Sequence, residues 1–185
     1  MTVMSTRPGC VNGLVAVAFF VAVGACKKEE LPPSYPPAAA TVPALAPVPA
    51  AAPTSGDPME RARIRCTDRT NAYRARVGAA PVQRRTDVEA CADAAARSDA
   101  QARTVHGAFG RCRESAQNEC PAWSGALDTV IDQCLDMMFA EGPGSGSAHG
   151  HYVNMTNRSY VQVACGVSTG PNGEVWIVQN FYRSP

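Results

Sequence analysis

Lysine is almost absent from this 185-residue chain. Lys27 and Lys28 are its only lysines, and arginine supplies the other 15 basic residues. Charged residues make up 18% of the chain, and the formal net charge is +1. After Ser55, 14 arginines are matched by 14 aspartates and glutamates, so the net charge of that region is zero. Nucleic-acid-binding proteins usually carry clustered positive charge. The composition therefore argues against nucleic acid as a partner.

The chain also has no apolar run long enough to span a membrane. The longest run, residues 14–23, has ten residues, too few to cross a hydrocarbon core of about 30 Å as a helix. A short run of this kind near the N-terminus is typical of a signal peptide. The residues that follow, from Val23 through Gly24 and Ala25 to Cys26, resemble a bacterial lipobox. We predict a signal peptide at residues 1–25 and lipidation at Cys26; secretion with cleavage nearby is the alternative.

Residues 26–57 are rich in proline and alanine and have no amphipathic pattern. Regularly spaced proline removes backbone donors and favours extended polyproline geometry. The segment is predicted to be a linker that holds a folded domain, residues 58–185, away from a membrane surface to which the lipid anchor attaches. A ligand for an SH3-type domain is the alternative interpretation of such a tract.

Close cysteine pairs of the C-x-x-C type, which structural metal sites commonly use, are missing. Beyond the predicted linker, the domain contains an even number of cysteines, which favours three disulfides in an oxidising compartment. We predict one pairing, Cys112–Cys120, because a short loop joins the two residues. The other four cysteines allow three pairings, which stay open. The six are Cys66, Cys91, Cys112, Cys120, Cys134 and Cys165.

Hydrophobic periodicity predicts helices first and strands last. A helix is predicted at residues 59–77, a second begins at Thr86 in a capping box with Glu89, and a third follows Ser124 as N-cap. Gly142 and Pro143 are expected to end the third helix. The apolar period then changes from 3.6 to 2, which predicts strands at residues 161–167 and 174–181 around a turn. This order indicates an α+β domain.

Four short motifs occur in an order that resembles the CAP family, which includes cysteine-rich secretory proteins, insect venom antigens and plant pathogenesis-related proteins. The resemblance covers residues 59–185 and implies an α-β-α sandwich with a cleft lined by two histidines and two acidic residues. The motifs are Asn71-Ala72-Tyr73-Arg74, the alanine-rich residues 90–96, Gly150-His151-Tyr152 with the following Ala164-Cys165-Gly166, and Gln179-Asn180-Phe181.

Carried over by position, the resemblance assigns His106 and His151 to the two cleft histidines. Gln117 occupies the position of the first acidic residue, and Glu119 lies two residues further on. The second acidic position holds Met137, with Cys134 in place of a family tryptophan. Glu141 is one helical turn later, so its side chain is expected on the same face. The candidate cleft is thus formed by His106, Gln117, Glu119, Glu141 and His151.

Two imidazoles and a carboxylate are suitable Zn²⁺ ligands, so His106 and His151 are candidate metal ligands and Zn is a possible cofactor. His149 is a third candidate, since residues two apart on an extended strand point the same way. A metal-dependent hydrolase could use Glu119 or Glu141 as its base. A serine nucleophile, Ser145 or Ser147, is a weaker alternative.

The replacement of both family acids argues against an enzyme. We therefore expect a non-catalytic binding module at the cell envelope, whose cleft binds a lipid, a peptide or a metal. Met137, Met138, Phe139 and Met155 are candidates to line an apolar part of that cleft. A purely structural envelope protein, stabilised by its disulfides, is the remaining hypothesis.

Overall fold

The computed structural model describes residues 56–183. The predicted signal peptide, Cys26 and nearly all of the predicted linker lie outside the described residues. Within them, α1 spans Pro58–Arg76, α2 Glu89–Ala102, α3 Leu127–Ala140 and α4 Gly150–Thr156. Short 3-10 helices span Thr86–Val88 and Ser147–His149. The strands are β1 Gln83–Arg84, β2 Ala116–Trp123, β3 Gln162–Thr169 and β4 Val175–Tyr182. No helix among the described residues is long and apolar enough to cross a membrane.

The strands form one four-stranded sheet with the order β1-β3-β4-β2. β3 and β4 are antiparallel neighbours, as the predicted hairpin requires, and β1 pairs with β3 in parallel. β2 lies at the other edge, antiparallel to β4, with Gln117 opposite Asn180 and Asn118 opposite Gln179. Because successive side chains of a strand point to opposite faces, these neighbouring polar pairs face different helical layers.

Helices cover both faces of the sheet, which confirms the predicted α+β fold with an α-β-α sandwich. The larger hydrophobic core joins one sheet face to α1, α3 and α4, whereas the smaller core joins the other face to α2. The alanine-rich composition of α2 follows from its close approach. A Cβ added to Gly166 on β3 would lie 2.1 Å from the carbonyl carbon of Ala92, so only glycine fits there.

Helix starts differ from the predictions. The chain from Thr86 forms a 3-10 turn, α2 begins at Glu89, and neither has a side-chain cap, so the predicted capping box is wrong. The N-cap of α3 is Ala126, two residues after Ser124. The strand β2 and the helix α4 were not predicted. The buried part of β2 reads Ala-Gln-Asn-Glu-Cys, which carries no apolar alternation to mark a strand.

Three disulfides staple the domain. Cys66 is bonded to Cys165, Cys91 to Cys112, and Cys120 to Cys134. The predicted Cys112–Cys120 pairing is therefore wrong. The sheet separates these two cysteines. Cys112 packs with residues of α2, whereas Cys120 belongs to the core on the face of α1 and α3. A short separation along the chain does not bring the two sulfurs to the same side.

Arg74 fixes α4 relative to α1. Its side chain is only 1% exposed, and no carboxylate contacts it among the described residues. Instead, its guanidinium donates to four backbone carbonyls. A guanidinium has five donors in a rigid plane, so it can hold several chain segments at once and thereby positions the segment that carries His151. The acceptors are Ala80, Met155, Asn157 and Tyr160.

Candidate functional site

His151 is oriented by Glu141, the residue directly after α3. The Nδ1 atom of His151 lies 2.5 Å from Glu141 Oε1. Glu141 Oε2 accepts the backbone N–H groups of His151 at 2.9 Å and Tyr152 at 3.3 Å, and so caps the first turn of α4. An ionised carboxylate only accepts hydrogen bonds, so Nδ1 of His151 carries the proton. In the neutral imidazole the Nε2 atom therefore carries the lone pair, on a side chain that is 32% exposed.

His106 is oriented in the same way by an amide. Its Nδ1 lies 2.9 Å from Gln117 Oε1, and Gln117 Nε2 donates to Asn180 Oδ1 at 3.0 Å. With the amide oxygen facing the imidazole, Nδ1 of His106 is the donor in this bond. In the neutral imidazole Nε2 is likewise the acceptor, and the side chain is 41% exposed.

The Glu119 carboxylate accepts a hydrogen bond from the backbone of His106. His106 has φ +59°, a left-handed conformation, and its N–H donates to Glu119 Oε2 at 2.5 Å. The Glu119 side chain is fully buried. Burial raises the pKa of Glu119 to about 7, with a further contribution from the charge of Asp99, and the bond from His106 opposes the rise. Burial also raises the pKa of Asp99.

The two histidines reach the edge strand β2 from opposite faces. Gln117 and Glu119 point toward α2 and contact His106. Asn118 points the other way, and its Nδ2 donates to the His151 carbonyl oxygen at 3.2 Å and to Gln179 Oε1 at 3.2 Å. Both histidines are therefore tied to neighbouring residues of one strand, which brings the sequence-predicted residues to the same edge of the sheet.

His149 does not join this site, which overturns the extended-strand prediction. It ends a 3-10 helix, and its Nδ1 lies 2.8 Å from the Glu141 carbonyl oxygen and 3.1 Å from that of Gly142. Gly144 packs on its ring so closely that an added Cβ would lie 2.4 Å from it. His149 therefore closes the turn after α3. Ser145 and Ser147 lie exposed in this turn, and among residues 56–183 no histidine hydrogen-bonds to either hydroxyl.

The predicted apolar lining is only partly accessible. Met138 and Met155 are completely buried core residues, so they are wrong as lining residues, whereas Met137 is 41% exposed. Phe139 stacks on Tyr73 with ring centroids 4.3 Å apart and contacts Tyr152 at 5.1 Å. Tyr152, the neighbour of His151, is half-buried. An aromatic surface beside His151 thus takes the place of the predicted methionine lining.

The site offers less to a metal than the sequence predicts. In the part of the chain that the structure describes, no group of three or more His, Cys, Asp and Glu side chains is arranged to hold a metal ion. The oriented Nε2 atoms of His106 and His151 could each act as one ligand, as metal-binding histidines with a bonded second nitrogen do. The carboxylates of Glu119 and Glu141, however, already accept backbone N–H groups.

Comparison with known proteins decides the family. The family model of the cysteine-rich secretory protein (CAP) family matches residues 67–181. The chain belongs to this family. Human cysteine-rich secretory protein 2 is 35% identical to it over 65 residues, which are 34% of this chain and 27% of the human protein. The alignment thus covers about a quarter of that relative, and the resemblance stated from the motifs is confirmed for the domain.

Two solved structures share the fold. Na-ASP-1 superposes with a TM-score of 0.54 at 14% identity, covering 67% of this chain and 39% of that one. NaASP2, whose structure was determined with Zn²⁺, superposes with a TM-score of 0.51 at 16% identity, covering 71% of this chain and 84% of that one. Identities this low establish the common fold and nothing about the ligand of this chain.

Proposed function

We propose that this CAP protein is an exported, envelope-anchored binding module, whose cleft at the β2 edge binds a ligand through the Nε2 atoms of His106 and His151. One observation carries the proposal: each histidine has its Nδ1 committed to a fixed acceptor, while its imidazole remains partly exposed. Two pre-oriented acceptors are a binding arrangement that needs no rearrangement of the protein.

The same geometry disfavours hydrolysis, because in the described site neither Glu119 nor Glu141 presents an unengaged oxygen to solvent. Glu141 is occupied by His151 Nδ1 and by the first turn of α4. Glu119 is buried under the His106 backbone, and Gln117 cannot take up a proton. A general base must reach the proton that it removes. Neither acid meets this requirement, since Glu119 is buried and both oxygens of Glu141 already accept hydrogen bonds.

The ligand class follows from the surroundings of the imidazoles. Neutral Nε2 atoms accept hydrogen bonds from hydroxyl or amide groups, and they can also bind Zn²⁺. The rings of Tyr152 and Phe139 beside His151 suit an apolar portion. We therefore favour a lipid or a peptide that carries a hydroxyl or amide next to an apolar segment, with Zn²⁺ as the inorganic alternative.

Binding is tested on the full chain purified without denaturation. Native mass spectrometry should show a co-purifying small molecule, which is lost in the His106→Ala and His151→Ala variants. His149→Asn is the matched control, because Asn can still donate to the Glu141 carbonyl and the residue lies outside the site. Retention of the ligand by both alanine variants would refute the proposed cleft. Zn²⁺-dependent ester or peptide hydrolysis that Glu119→Gln or Glu141→Gln abolishes would favour the enzyme instead.

Export and anchoring are supported by the three disulfides, which are typical of oxidising compartments, and by the lipobox-like residues ending at Cys26. Labelling of cells with a fatty acid analogue should tag the parent chain. Cys26→Ser should abolish the label, and Cys10→Ser, which changes the other cysteine of the leader, should retain it. Label that persists in Cys26→Ser would exclude lipidation at that residue.

A further inference from the structure

The segment between α2 and β2 exposes two large apolar side chains. Val105 is 46% exposed and Phe109 52%, the highest value for a large apolar side chain among the described residues. The Cys91–Cys112 disulfide fastens this segment to α2, and Asp99 accepts the backbone N–H of Ala108. The backbone is thus fixed on both sides of Phe109, so its exposure belongs to the folded surface.

Around this segment the basic side chains are exposed and the acidic side chains are buried. Between residues 97 and 119 all four arginines are exposed, whereas all three acidic residues, Asp99, Glu114 and Glu119, are buried. Arg103 forms an ion pair with Glu174. The other three arginines, Arg97, Arg111 and Arg113, have no ion-pair partner among residues 56–183. Although positive and negative charges balance along the sequence, the surface around this segment is therefore cationic.

The arginines and the apolar residues lie on neighbouring parts of the chain, α2 and the segment that the disulfide fastens to it. Arg111 Nη1 donates to Ser98 Oγ at 3.0 Å, which places Arg111 against α2 next to Arg97. Phe109 lies two residues before Arg111, on the segment fastened to the same helix. We call Arg97, Arg111, Arg113, Val105 and Phe109 the arginine–phenylalanine patch.

We propose that this patch binds the surface of an anionic lipid bilayer, with the arginines at the headgroups and Phe109 and Val105 entering the interface. Unpaired arginines beside exposed apolar side chains are the combination that membrane-surface segments use. Each basic residue near an anionic surface strengthens binding about fivefold. The patch flanks His106 along the chain, and the Phe109 N–H donates to the His106 carbonyl oxygen at 3.2 Å, but the inference uses neither cleft imidazole.

The first test measures binding of the full chain to vesicles of phosphatidylcholine alone and of phosphatidylcholine mixed with phosphatidylglycerol. The ratio of the two partition coefficients cancels the contribution of an acyl anchor, which is common to both vesicles. Arg111→Gln with Arg113→Gln should lower this ratio by about fivefold for each charge removed. The control pair, Arg76→Gln with Arg183→Gln, removes the same charge elsewhere. An unchanged ratio, or an equal fall in the control, would overturn the proposal.

The second test reports insertion directly. The Trp emission of Phe109→Trp should shift to the blue on phosphatidylglycerol-containing vesicles, because the indole leaves water. Val161→Trp, at a similarly exposed position just before β3, should show no shift. A shift confined to Val161→Trp would place another part of the domain at the membrane and contradict the patch. Because neither readout uses His106 or His151, its failure is distinguishable from failure of the cleft.

Discussion

The site has two parts: the His151 half-site, with Glu141, and the His106 half-site, with Gln117 and Glu119. Each fixes the orientation of its imidazole, but the groups that accept from Nδ1 differ. His151 is oriented by an ionisable carboxylate, Glu141, that also caps α4, whereas His106 is oriented by the neutral amide of Gln117. Both arrangements leave Nε2 as the available atom. The comparison shows that an amide can preserve the orientation of a histidine while removing a negative charge from the site. The nearest acceptor of His106 Nδ1 is therefore neutral, and the Glu119 carboxylate lies farther away, at 3.7 Å.

Glu119, the acidic residue of the His106 half-site, should have the largest effect on the stability of the fold. With its pKa raised from 4.5 to about 7, Glu119 binds a proton more tightly in the folded than in the unfolded chain. The contribution of Glu119 to the free energy of unfolding is therefore complete below pH 4.5 and is lost as the pH rises toward 7. The expected loss is about 3 kcal/mol at most.

Urea unfolding at pH 5 and pH 8 measures this loss. Glu119→Gln, which can still accept the N–H of His106, should remove that part of the pH dependence. Asp87→Asn, an exposed acid at the start of the α2 region, is the control and should retain it. An identical pH dependence in parent and Glu119→Gln would show that Glu119 is ionised in the fold over this whole range.

In the His151 half-site, loss of the carboxylate should destabilise α4. Glu141→Ala removes the acceptor of the His151 and Tyr152 N–H groups, and such a loss costs about 1–2 kcal/mol. Gln117→Ala should cost less, because no backbone N–H depends on its side chain. Denaturant unfolding of the two variants checks the order. Equal losses would mean that Glu141 does not cap α4.

Exchange of the acceptors should move metal affinity in opposite directions. Gln117→Glu gives His106 the carboxylate partner that His151 already has, and Glu141→Gln gives His151 an amide. Changes of this kind alter metal affinity by about tenfold, so Zn²⁺ should bind more tightly to the first variant and more weakly to the second. Calorimetry on both variants and on His149→Asn measures this. No change in either variant would remove Zn²⁺ from the possible ligands.

Much of the fold could be predicted from sequence because its helices and hairpin carry apolar periodicity. β2 could not, since its buried residues Gln117, Asn118 and Glu119 are polar and are satisfied only by partners on other elements. Disulfide pairing failed for a related reason. The two faces of the sheet separate Cys112 from Cys120, and a sequence does not show on which face a residue lies when the strand itself is not recognised.

The candidate site was partly accessible to sequence reasoning. The family motif located His106 and His151, and helical spacing suggested Glu141 as a neighbour of the cleft. The helix ends at Ala140, however, so Glu141 acts from the chain after α3 and its role as a cap of α4 had no sequence signal. The same holds for the arginine–phenylalanine patch, because the acids that balance its charge in the sequence are buried in the fold.

The most direct test of the account is the protonation of the histidine nitrogens. Long-range nitrogen–proton NMR at pH 8, where an ordinary imidazole is neutral, separates the two tautomers of each ring. The account predicts protonated Nδ1 and unprotonated Nε2 for His106 and His151, with both Nε2 signals shifting when Zn²⁺ or the co-purified ligand is added and that of His149 unchanged. A protonated Nε2 on either cleft histidine, or a shift of His149 alone, would contradict it.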